Sequence, residues 1–310
     1  MAQKKLRIGT RDSQLAVWQA TLVQDLLKQK GVASELVYIK SEGDIDTVTP
    51  LYELGVQGVF TKALDAALLN KRIDLAVHSM KDVPTQLATG LTQAAVLKRA
   101  SYKDIFVYKN SADFLNDTNS IATIATSSVR RIAQWLHRYP NHTIENLRGN
   151  VNTRLRKVEE NNWNGAIFAA AGLERINLRP ENSIDLDWML PAPAQGAIMI
   201  VCRKDDTQAF IPCQGFNDPD TVICTKIERD FLRTLLGGCS TPITALSEVK
   251  NGSIHFKGNI ISPDGKQKAE TSLSVPLKDA PNLGVVAAKQ LLEQGGQAIV
   301  NEIRQKGLSN

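Results

Sequence analysis

Cys239 has the clearest capacity for covalent chemistry in this sequence, because it directly follows two glycines in the stretch LLGGCSTPI at 235–243. Apolar residues recur every four positions through the preceding run, 220–236, which predicts a helix that ends at the glycines. Two glycines leave the backbone bare enough for a bulky group to lie beside the thiol. A nucleophile or an attachment point fits this pattern, and so does a small buried cysteine after an ordinary helix end.

Lys81 and Asp82 form a second candidate site. They follow IDLAVHS, which predicts a buried strand, and they come just before Pro84. Open α/β sheets bind their ligands at the carboxyl ends of parallel strands, so this lysine and aspartate could take part in binding or chemistry. An exposed turn without a function is the alternative for an isolated pair of this kind.

The third chemical signal is an excess of positive charge between Thr126 and Val158, where the one acid is Glu145. The cations in this window are Arg130, Arg131, Arg138, Arg148, Arg154, Arg156 and Lys157. Such an excess predicts an anionic ligand, and the planar fork of arginine suits carboxylate or phosphate. The window lacks interleaved aromatic residues and any groove-reading motif, which argues against nucleic acid as a partner.

A strand followed by a helix is predicted at the start of the chain, where LRIGT at 6–10 is the strand and Ser13 caps the helix. Arg11 and Ser13 lie in the turn between them, where backbone N–H groups and the helix dipole favour an anion. Ser13 could equally be a simple cap. Leu15, Trp18, Leu22 and Leu26 are predicted to lie on one face of the helix, which Gly31 ends.

A second α/β unit is predicted to begin near residue 101. The two arginine clusters fall at successive strand-to-helix junctions of this unit, so we expect them to share one edge of a sheet. AIMIVCR at 197–203 is predicted to return the chain to the first unit. The irregular stretch 41–60 is predicted to form a lid or a mobile loop.

The last part of the chain is predicted to be an α+β domain, with three strands near 243–249, 253–262 and 268–275 and helices from about 282 to 305. Three domains are therefore expected. Their predicted boundaries are 1–100 with 198–217 for the first, 101–197 for the second and 218–310 for the third.

Length and composition indicate a soluble globular chain, with 310 residues of which 43% are hydrophobic and 22% charged. No secretory signal or long apolar run is evident, so we expect a cytoplasmic protein without a membrane partner. The four cysteines form no CxxC pair, which argues against a metal site. No exposed apolar stripe stands out, and we expect a monomer.

Four motifs, in order along the chain, resemble the porphobilinogen deaminase (hydroxymethylbilane synthase) family. They are HSMKDVP at 78–84, TSSVRR at 126–131, LRGNVNTRL at 147–155 and GGCSTPI at 237–243. RIGTRDSQLA, GVFTKALDAALL, AAAGLERI and PAPAQGA extend the resemblance over essentially the first 245 residues. The chain departs from the usual family pattern at Gln14, Gln57, Ala194 and Leu236.

The resemblance implies an α/β fold of two periplasmic-binding-protein-like domains with a central cleft, plus a C-terminal α+β domain. It implies that Cys239 carries a dipyrromethane cofactor through a thioether. The implied reaction is the stepwise, head-to-tail condensation of four porphobilinogen molecules into hydroxymethylbilane, a linear tetrapyrrole, with loss of ammonia at each step. This reaction belongs to tetrapyrrole and haem biosynthesis, and it requires no metal.

Asp82 is the implied catalytic residue, and it is the one acid that we expect among the cations. Its charge would stabilise the azafulvene cation that forms when ammonia leaves, and it could assist removal of the ring proton. The residues expected to bind cofactor and substrate are Arg11, Ser13, Lys81, Thr126, Ser127, Ser128, Arg130, Arg131, Arg148, Gly149, Arg154 and Gln195.

Two other functions are compatible with parts of the sequence. A non-catalytic, two-lobed receptor for a small anion would explain the arginines and the crossing between domains, but not an acid at the cleft or a thiol after two glycines. A phosphate-handling transferase would need a glycine-rich phosphate loop, which the sequence lacks.

Overall fold

The first domain is built on a five-stranded sheet. The computed structural model describes residues 5–40, 61–235 and 241–305, so the predicted lid at 41–60, Gln57, Leu236 and Cys239 lie outside the described residues. The strands are β1 Leu6–Thr10, β2 Ser34–Tyr38, β3 Leu75–Ser79, β4 Leu91–Val96 and β10 Ile198–Arg203, in the order β2-β1-β3-β10-β4. β10 lies antiparallel between β3 and β4, which confirms the predicted return of the chain.

Helices cover both faces of this sheet. They are α1 Gln14–Gln29, α2 Lys62–Leu69 and α6 Thr207–Gln214. Apolar side chains of α1 and α6 form one core cluster with the sheet, and those of α2 form another on the opposite face. Burial on both faces explains why residues of β3 and β10 are almost all buried rather than alternating between buried and exposed.

The predicted start of α1 is confirmed, and its predicted apolar face packs in part, because Leu22 and Leu26 lie partly buried against the core. The Oγ of Ser13 accepts a hydrogen bond from the N–H of Ala16 at 3.4 Å. The helix buries Ala16, Gln19, Ala20, Val23 and Leu27. The buried stripe is thus shifted by one position, and Trp18 is left 37% exposed. Ala16 and Ala20 on the inner stripe let this part of the helix lie close to the sheet, and Leu22 and Leu26 stand at the margin of the stripe.

The second domain repeats the strand arrangement of the first. Its strands are β5 Asp104–Tyr108, β6 Thr123–Ala125, β7 Thr143–Glu145, β8 Gly165–Ala169 and β9 Ser183–Asp185, in the order β7-β6-β8-β5-β9. β6, β7 and β8 run parallel, and β5 lies antiparallel between β8 and β9. Its helices are α3 Val129–Arg138, α4 Val151–Glu160 and α5 Ala170–Glu174.

The third domain packs helices on an antiparallel sheet, as the sequence predicts. The strands are β11 Ile243–Lys250, β12 Ser253–Ile261 and β13 Lys268–Pro276, and the helices are α7 Pro219–Thr234, α8 Leu283–Leu291 and α9 Gln297–Gln305. All of these elements contribute to one apolar cluster. α7 and α8 approach so closely that a Cβ on Gly284 would lie 2.1 Å from the carbonyl oxygen of Ile227.

Two chain segments connect the first and second domains: a first crossing at 97–103 and a second crossing at 190–197. They are in direct backbone contact, because the N–H of Ala100 donates to the carbonyl of Gly196 at 3.1 Å. Gly196 has φ +87°, and a Cβ there would lie 2.7 Å from the carbonyl oxygens of Ala100 and Ser101. Glycine is therefore the residue that this contact accommodates without displacement.

The predicted fold class is confirmed: two α/β domains of matching topology are followed by a C-terminal α+β domain. No helix in the parts of the chain that the structure describes combines the length and apolarity needed to cross a bilayer.

Candidate active site

The carboxyl edge of the first sheet carries four of the predicted site residues. Arg11 follows β1 directly, and Ser13 stands at the N-cap of α1. Lys81 and Asp82 lie in the 3₁₀ turn Met80–Asp82, which begins where β3 ends. All four side chains are partly exposed. They therefore lie where open α/β sheets bind ligands.

Charges from both domains meet around Arg154. Burial lowers the pKa of the Arg154 guanidinium to about 10. Arg131 and Arg148 lower this pKa further, as does Arg11, whereas Asp82 raises it. Arg11 and Asp82 belong to the first domain and the other three to the second. The carboxyl edges of the two sheets face each other, because Nδ2 of Asn152 in the first turn of α4 donates to Oε1 of Gln14 at the start of α1 at 3.0 Å.

Lys81 is linked to the second domain through Gln195. Its Nζ donates to Oε1 of Gln195 at 3.2 Å, and Gln195, fully buried in the second crossing, donates through Nε2 to Oδ1 of Asp104 at 3.0 Å and to the carbonyl of Tyr102 at 2.7 Å. Burial lowers the pKa of Lys81 to about 8, although the carboxylate of Asp82 acts in the opposite direction. The lysine side chain is thus held in place by a neutral amide.

Asp104, which the sequence analysis did not select, stands at the centre of the arginine cluster. It is fully buried; Arg130 Nη1 lies 2.7 Å from one carboxylate oxygen and Arg131 Nη2 2.7 Å from the other. Burial opposes ionisation of Asp104, but the charges of Arg130 and Arg131 outweigh it and hold the pKa of the carboxyl below its ordinary value. The expectation that Asp82 is the one acid among these cations is therefore wrong, because Asp104 reaches them from β5, outside the basic window.

Arg130 and Arg131 also bind backbone carbonyls. Nη1 of Arg130 donates to Leu190 at 2.8 Å, and Nη1 of Arg131 donates to Ile167 at 2.9 Å. Both residues lie in the first turn of α3 and are more than nine-tenths buried. Asp104 and these carbonyls fix the two guanidinium planes, and the pair with its one carboxylate retains a net positive charge.

The residues that precede α3 have different surroundings. Thr126 is buried, and its Oγ1 accepts from the N–H of Ser128 at 3.3 Å. Ser127 Oγ accepts from the N–H of Leu147 at 2.9 Å and lies 2.6 Å from Oδ1 of Asn146, so it joins this junction to the next one. Ser128 is the N-cap residue of α3 and makes no side-chain capping bond to the backbone that the structure describes.

The loop before α4 is held by cations of that helix. Arg154 Nε donates to the carbonyl of Gly149 at 2.7 Å, and Lys157 Nζ donates to that of Arg148 at 3.2 Å. Gly149 has φ +111°, a left-handed conformation in which glycine is favoured. The side chain of Arg148 is 3% exposed. These hydrogen bonds and the glycine together fix the conformation of the loop.

Arg175 is a further cation at this edge, which the sequence analysis quoted within AAAGLERI without assigning a role. It follows α5, and α5 follows β8, the third parallel strand of the second sheet. Its Nη2 donates to the carbonyl of Gly196 at 2.6 Å, and its guanidinium carbon lies 5.8 Å from the ring centroid of Trp18. Burial lowers its pKa to about 10. Its place after a parallel strand was a signal that sequence reasoning could have used.

The three cysteines that the structure describes are poor candidates for covalent attachment. Cys202, Cys213 and Cys224 are buried, and burial raises the pKa of their thiols to about 11, 12 and 12, respectively. Thiolates are the nucleophilic form, so these thiols are unreactive. Within the described ranges, no three His, Cys, Asp or Glu side chains gather as a metal site would require.

These features define the class of protein: a two-domain α/β protein that binds an anionic ligand between its domains. Two facing α/β domains place cations from both carboxyl edges around a partly exposed carboxylate, Asp82. Such a site can bind a small molecule with several carboxylates, and it can stabilise a positive charge that develops beside the aspartate.

Comparison with known proteins identifies the family. Residues 6–210 match the family model described as "Porphobilinogen deaminase, dipyromethane cofactor binding domain", and residues 222–293 match "Porphobilinogen deaminase, C-terminal domain". The porphobilinogen deaminase of Geobacter sulfurreducens is 40% identical over 313 residues, covering 100% of this chain and 98% of that protein. That of Trichlorobacter lovleyi is 40% identical over 314 residues, covering 100% of both. The chain belongs to the porphobilinogen deaminase family.

The family, the enzyme class and the dipyrromethane cofactor expected from the sequence motifs are thereby confirmed. Among solved structures, the chain is similar to an ancestral cationic amino acid solute binding protein, with 14% identity, 68% of this chain and 87% of that chain covered, and a TM-score of 0.44. It is also similar to the methionine binding protein MetQ, with 15% identity, 68% and 89% covered, and a TM-score of 0.43. Likeness at this level carries no statement about a ligand.

Proposed function

We propose that this enzyme condenses four porphobilinogen molecules head-to-tail into hydroxymethylbilane and releases one ammonia at each step. The observation that carries the proposal is the link between the two domains at Asp82: Lys81, the residue before Asp82, binds Gln195, and Gln195 binds Asp104, the partner of the two buried arginines of α3. A growing chain of pyrroles needs a site that is cationic throughout, because every ring brings an acetate and a propionate. It also needs one carboxylate at the reacting carbon, where positive charge develops.

The cations divide into two groups in this proposal. Arg11, Lys81, Arg148 and Arg154 bind the acetates and propionates, and each charge-assisted hydrogen bond contributes about 1.5 to 3 kcal/mol. Arg130 and Arg131 are held rigidly by Asp104 and bind as a pre-oriented pair. Ser13, Thr126, Ser127, Ser128, Gly149 and Gln195 shape the strand-to-helix junctions that present these cations.

Asp82 is the proposed catalytic residue. Ammonia departs with the electrons of its C–N bond, and the carboxylate stabilises the cation left on the substrate. A C–C bond then forms at that carbon, and the displaced ring proton leaves by way of Asp82, so the net products are the lengthened chain and ammonium. Lys81, whose pKa is lowered by burial, lies beside Asp82 and binds a substrate carboxylate.

Cys239 is the proposed point of attachment for the dipyrromethane. The support is chemical, because the cationic donor set fits a ligand with four carboxylates and the three described cysteines are buried thiols with raised pKa values. When bound, the dipyrromethane supplies the pyrrole carbon to which the first substrate unit is joined.

The organisation of the protein is proposed as well. We place the domain boundaries at 1–100 with 198–217, 101–197 and 218–310, in agreement with the strand composition of the three sheets. The large apolar side chains exposed in the described residues are scattered over several elements, which supports a monomer. We propose the cytoplasm as its location, and neither nucleic acid nor a metal as a partner.

A direct test is to incubate the purified protein with porphobilinogen and to follow substrate consumption, ammonia release and intact mass. We expect a dipyrrole adduct on the resting protein and single-pyrrole increments during turnover. Cys239→Ser is expected to lose the adduct, whereas the matched control Cys224→Ser keeps it. A wild-type protein that binds porphobilinogen without consuming it, and shows no adduct, would support the receptor alternative instead.

A further inference from the structure

Arg229 links the third domain to the turn that carries Lys81 and Asp82. It lies on α7, and its guanidinium donates to three backbone carbonyls of the first domain. Nη1 lies 2.9 Å from the carbonyl oxygen of Val83 and 3.4 Å from that of Met80, and Nη2 lies 2.6 Å from that of Pro84. These carbonyls flank Lys81 and Asp82 on both sides, so one side chain spans the whole turn.

Two backbone hydrogen bonds also hold this turn. The N–H of Val83 donates to the carbonyl of Met80 at 3.1 Å, and the N–H of Met80 donates to Ala197 at 3.0 Å. The first bond closes one 3₁₀ turn, and the second ties its start to the second crossing. The carbonyls of Val83 and Pro84, after the turn, bind Arg229. A planar guanidinium can hold three carbonyls in fixed relative positions, whereas the single ammonium of a lysine cannot.

The helix that carries Arg229 is itself fixed to both crossings by the preceding residue. Glu228 is fully buried; its Oε1 lies 2.6 Å from Nη1 of Arg99, and its Oε2 accepts from the N–H of Ala194 at 2.7 Å. Oε1 also accepts from the N–H of Ser247 in β11 at 2.7 Å. Arg229 therefore extends from a helix that is hydrogen-bonded to both crossings and to β11, so the position of its guanidinium depends on that of the third domain.

We propose that Arg229 is a positioning residue for the reaction, through which the third domain fixes the catalytic carboxylate of Asp82. This inference rests on the proposed function, in which the third domain carries Cys239 and Asp82 performs the chemistry. Arg229 acts through the carbonyls of Met80, Val83 and Pro84. Its role is to hold the turn that carries Asp82 in one position relative to α7, the helix on which Arg229 lies.

Steady-state kinetics of Arg229→Gln test the proposal. A displacement of about 1 Å at a reacting group can cost on the order of a hundredfold in rate, so we expect kcat to fall tenfold to a hundredfold, with KM changed by less than about threefold. Arg229→Lys keeps the charge with a single donor group and should give an intermediate kcat. Arg233→Gln is the matched control, because Arg233 lies one turn further on the same helix, is exposed and pairs with Asp230.

A double-variant cycle separates positioning from a general structural role. Asp82→Glu displaces the carboxylate by one methylene group. If Arg229 acts through Asp82, adding Arg229→Gln to Asp82→Glu lowers kcat by much less than it does in the wild type. Losses that multiply would overturn the proposal, as would a folded Arg229→Gln or Arg229→Lys variant with wild-type kcat. Wild-type protein that does not consume porphobilinogen would instead contradict the proposed function.

Discussion

The buried carboxylate of Asp104 offers the sharpest test of how the arginine cluster is held. Asp104→Asn keeps the shape of the side chain and removes its charge. Arg130 and Arg131 then stay buried without the carboxylate that both of them bind. Removing one partner of a buried ion pair costs about 3 to 5 kcal/mol, and here two guanidiniums are affected at once. We therefore expect the free energy of unfolding of the second domain to fall by at least about 3 kcal/mol.

Urea unfolding followed by tryptophan fluorescence measures this loss. Trp135, Trp163 and Trp188 all belong to the second domain, so the signal reports mainly on it. Asp185→Asn is the control, because Asp185 also pairs with two cations, Lys103 and Arg179, but its side chain is 30% exposed. We expect the control to lose less than about 1 kcal/mol. Similar losses for the two variants would refute the argument from burial.

The pH dependence of the difference in unfolding free energy between wild type and Asp104→Asn gives a second check. The folded protein holds the pKa of Asp104 below the ordinary value of 3.8, so its ionised form stabilises the fold. This contribution is fully present above the unfolded pKa and is lost as the pH falls through the folded one. The difference in unfolding free energy between wild type and Asp104→Asn should therefore stay constant from neutral pH to about pH 5 and shrink below 3.8. A difference that grows in acid would contradict the sign.

Three further predictions concern single side chains. Asp82→Ala should keep the fold and the covalent adduct but lower turnover by about a hundredfold or more, as measured by porphobilinogen consumption; near-normal turnover would end the assignment of Asp82. Gly196→Ala should lower the free energy of unfolding by about 2 kcal/mol or more, whereas Gly252→Ala, with a positive φ but open space, should cost only about 1 kcal/mol; equal losses would contradict the crowding. Burial lowers the pKa of His142 from 6.5, and its Nδ1 accepts from Trp135, so the neutral form stabilises the fold and stability should fall below pH 6.5. His142→Gln should flatten that slope, and an unchanged slope would show that another group titrates.

Sequence patterns predicted the parts of this protein that depend on local order along the chain. Strand-to-helix junctions follow from apolar runs and capping residues, which is why Arg11, Lys81 and the arginines at the start of α3 were placed on the correct sheet edges. Ala194, one of the departures from the family pattern, has φ +62°, a left-handed conformation that favours glycine. Such features need no knowledge of distant partners.

Contacts between distant residues could not be predicted in this way. Asp104 begins a strand and precedes Arg130 by 26 positions, so nothing local marks it as the partner of two arginines. Ser127 was expected to bind a ligand, but in the structure its Oγ binds the loop at 146–147, which is brought near by the parallel pairing of β6 and β7. Arg229 is one of several cations on α7, and the carbonyls it binds lie 145 to 149 positions earlier.

The position of β10 has a consequence for synthesis on the ribosome. Among the described strands of the first sheet, β4 pairs only with β10, and β10 comes from residues 198–203, after the second domain. While the chain emerges, the first sheet thus lacks an interior strand, and β4 has no neighbour in it. All five strands of the second sheet fall within 104–185, so the middle of the polypeptide can complete its tertiary structure before the beginning does.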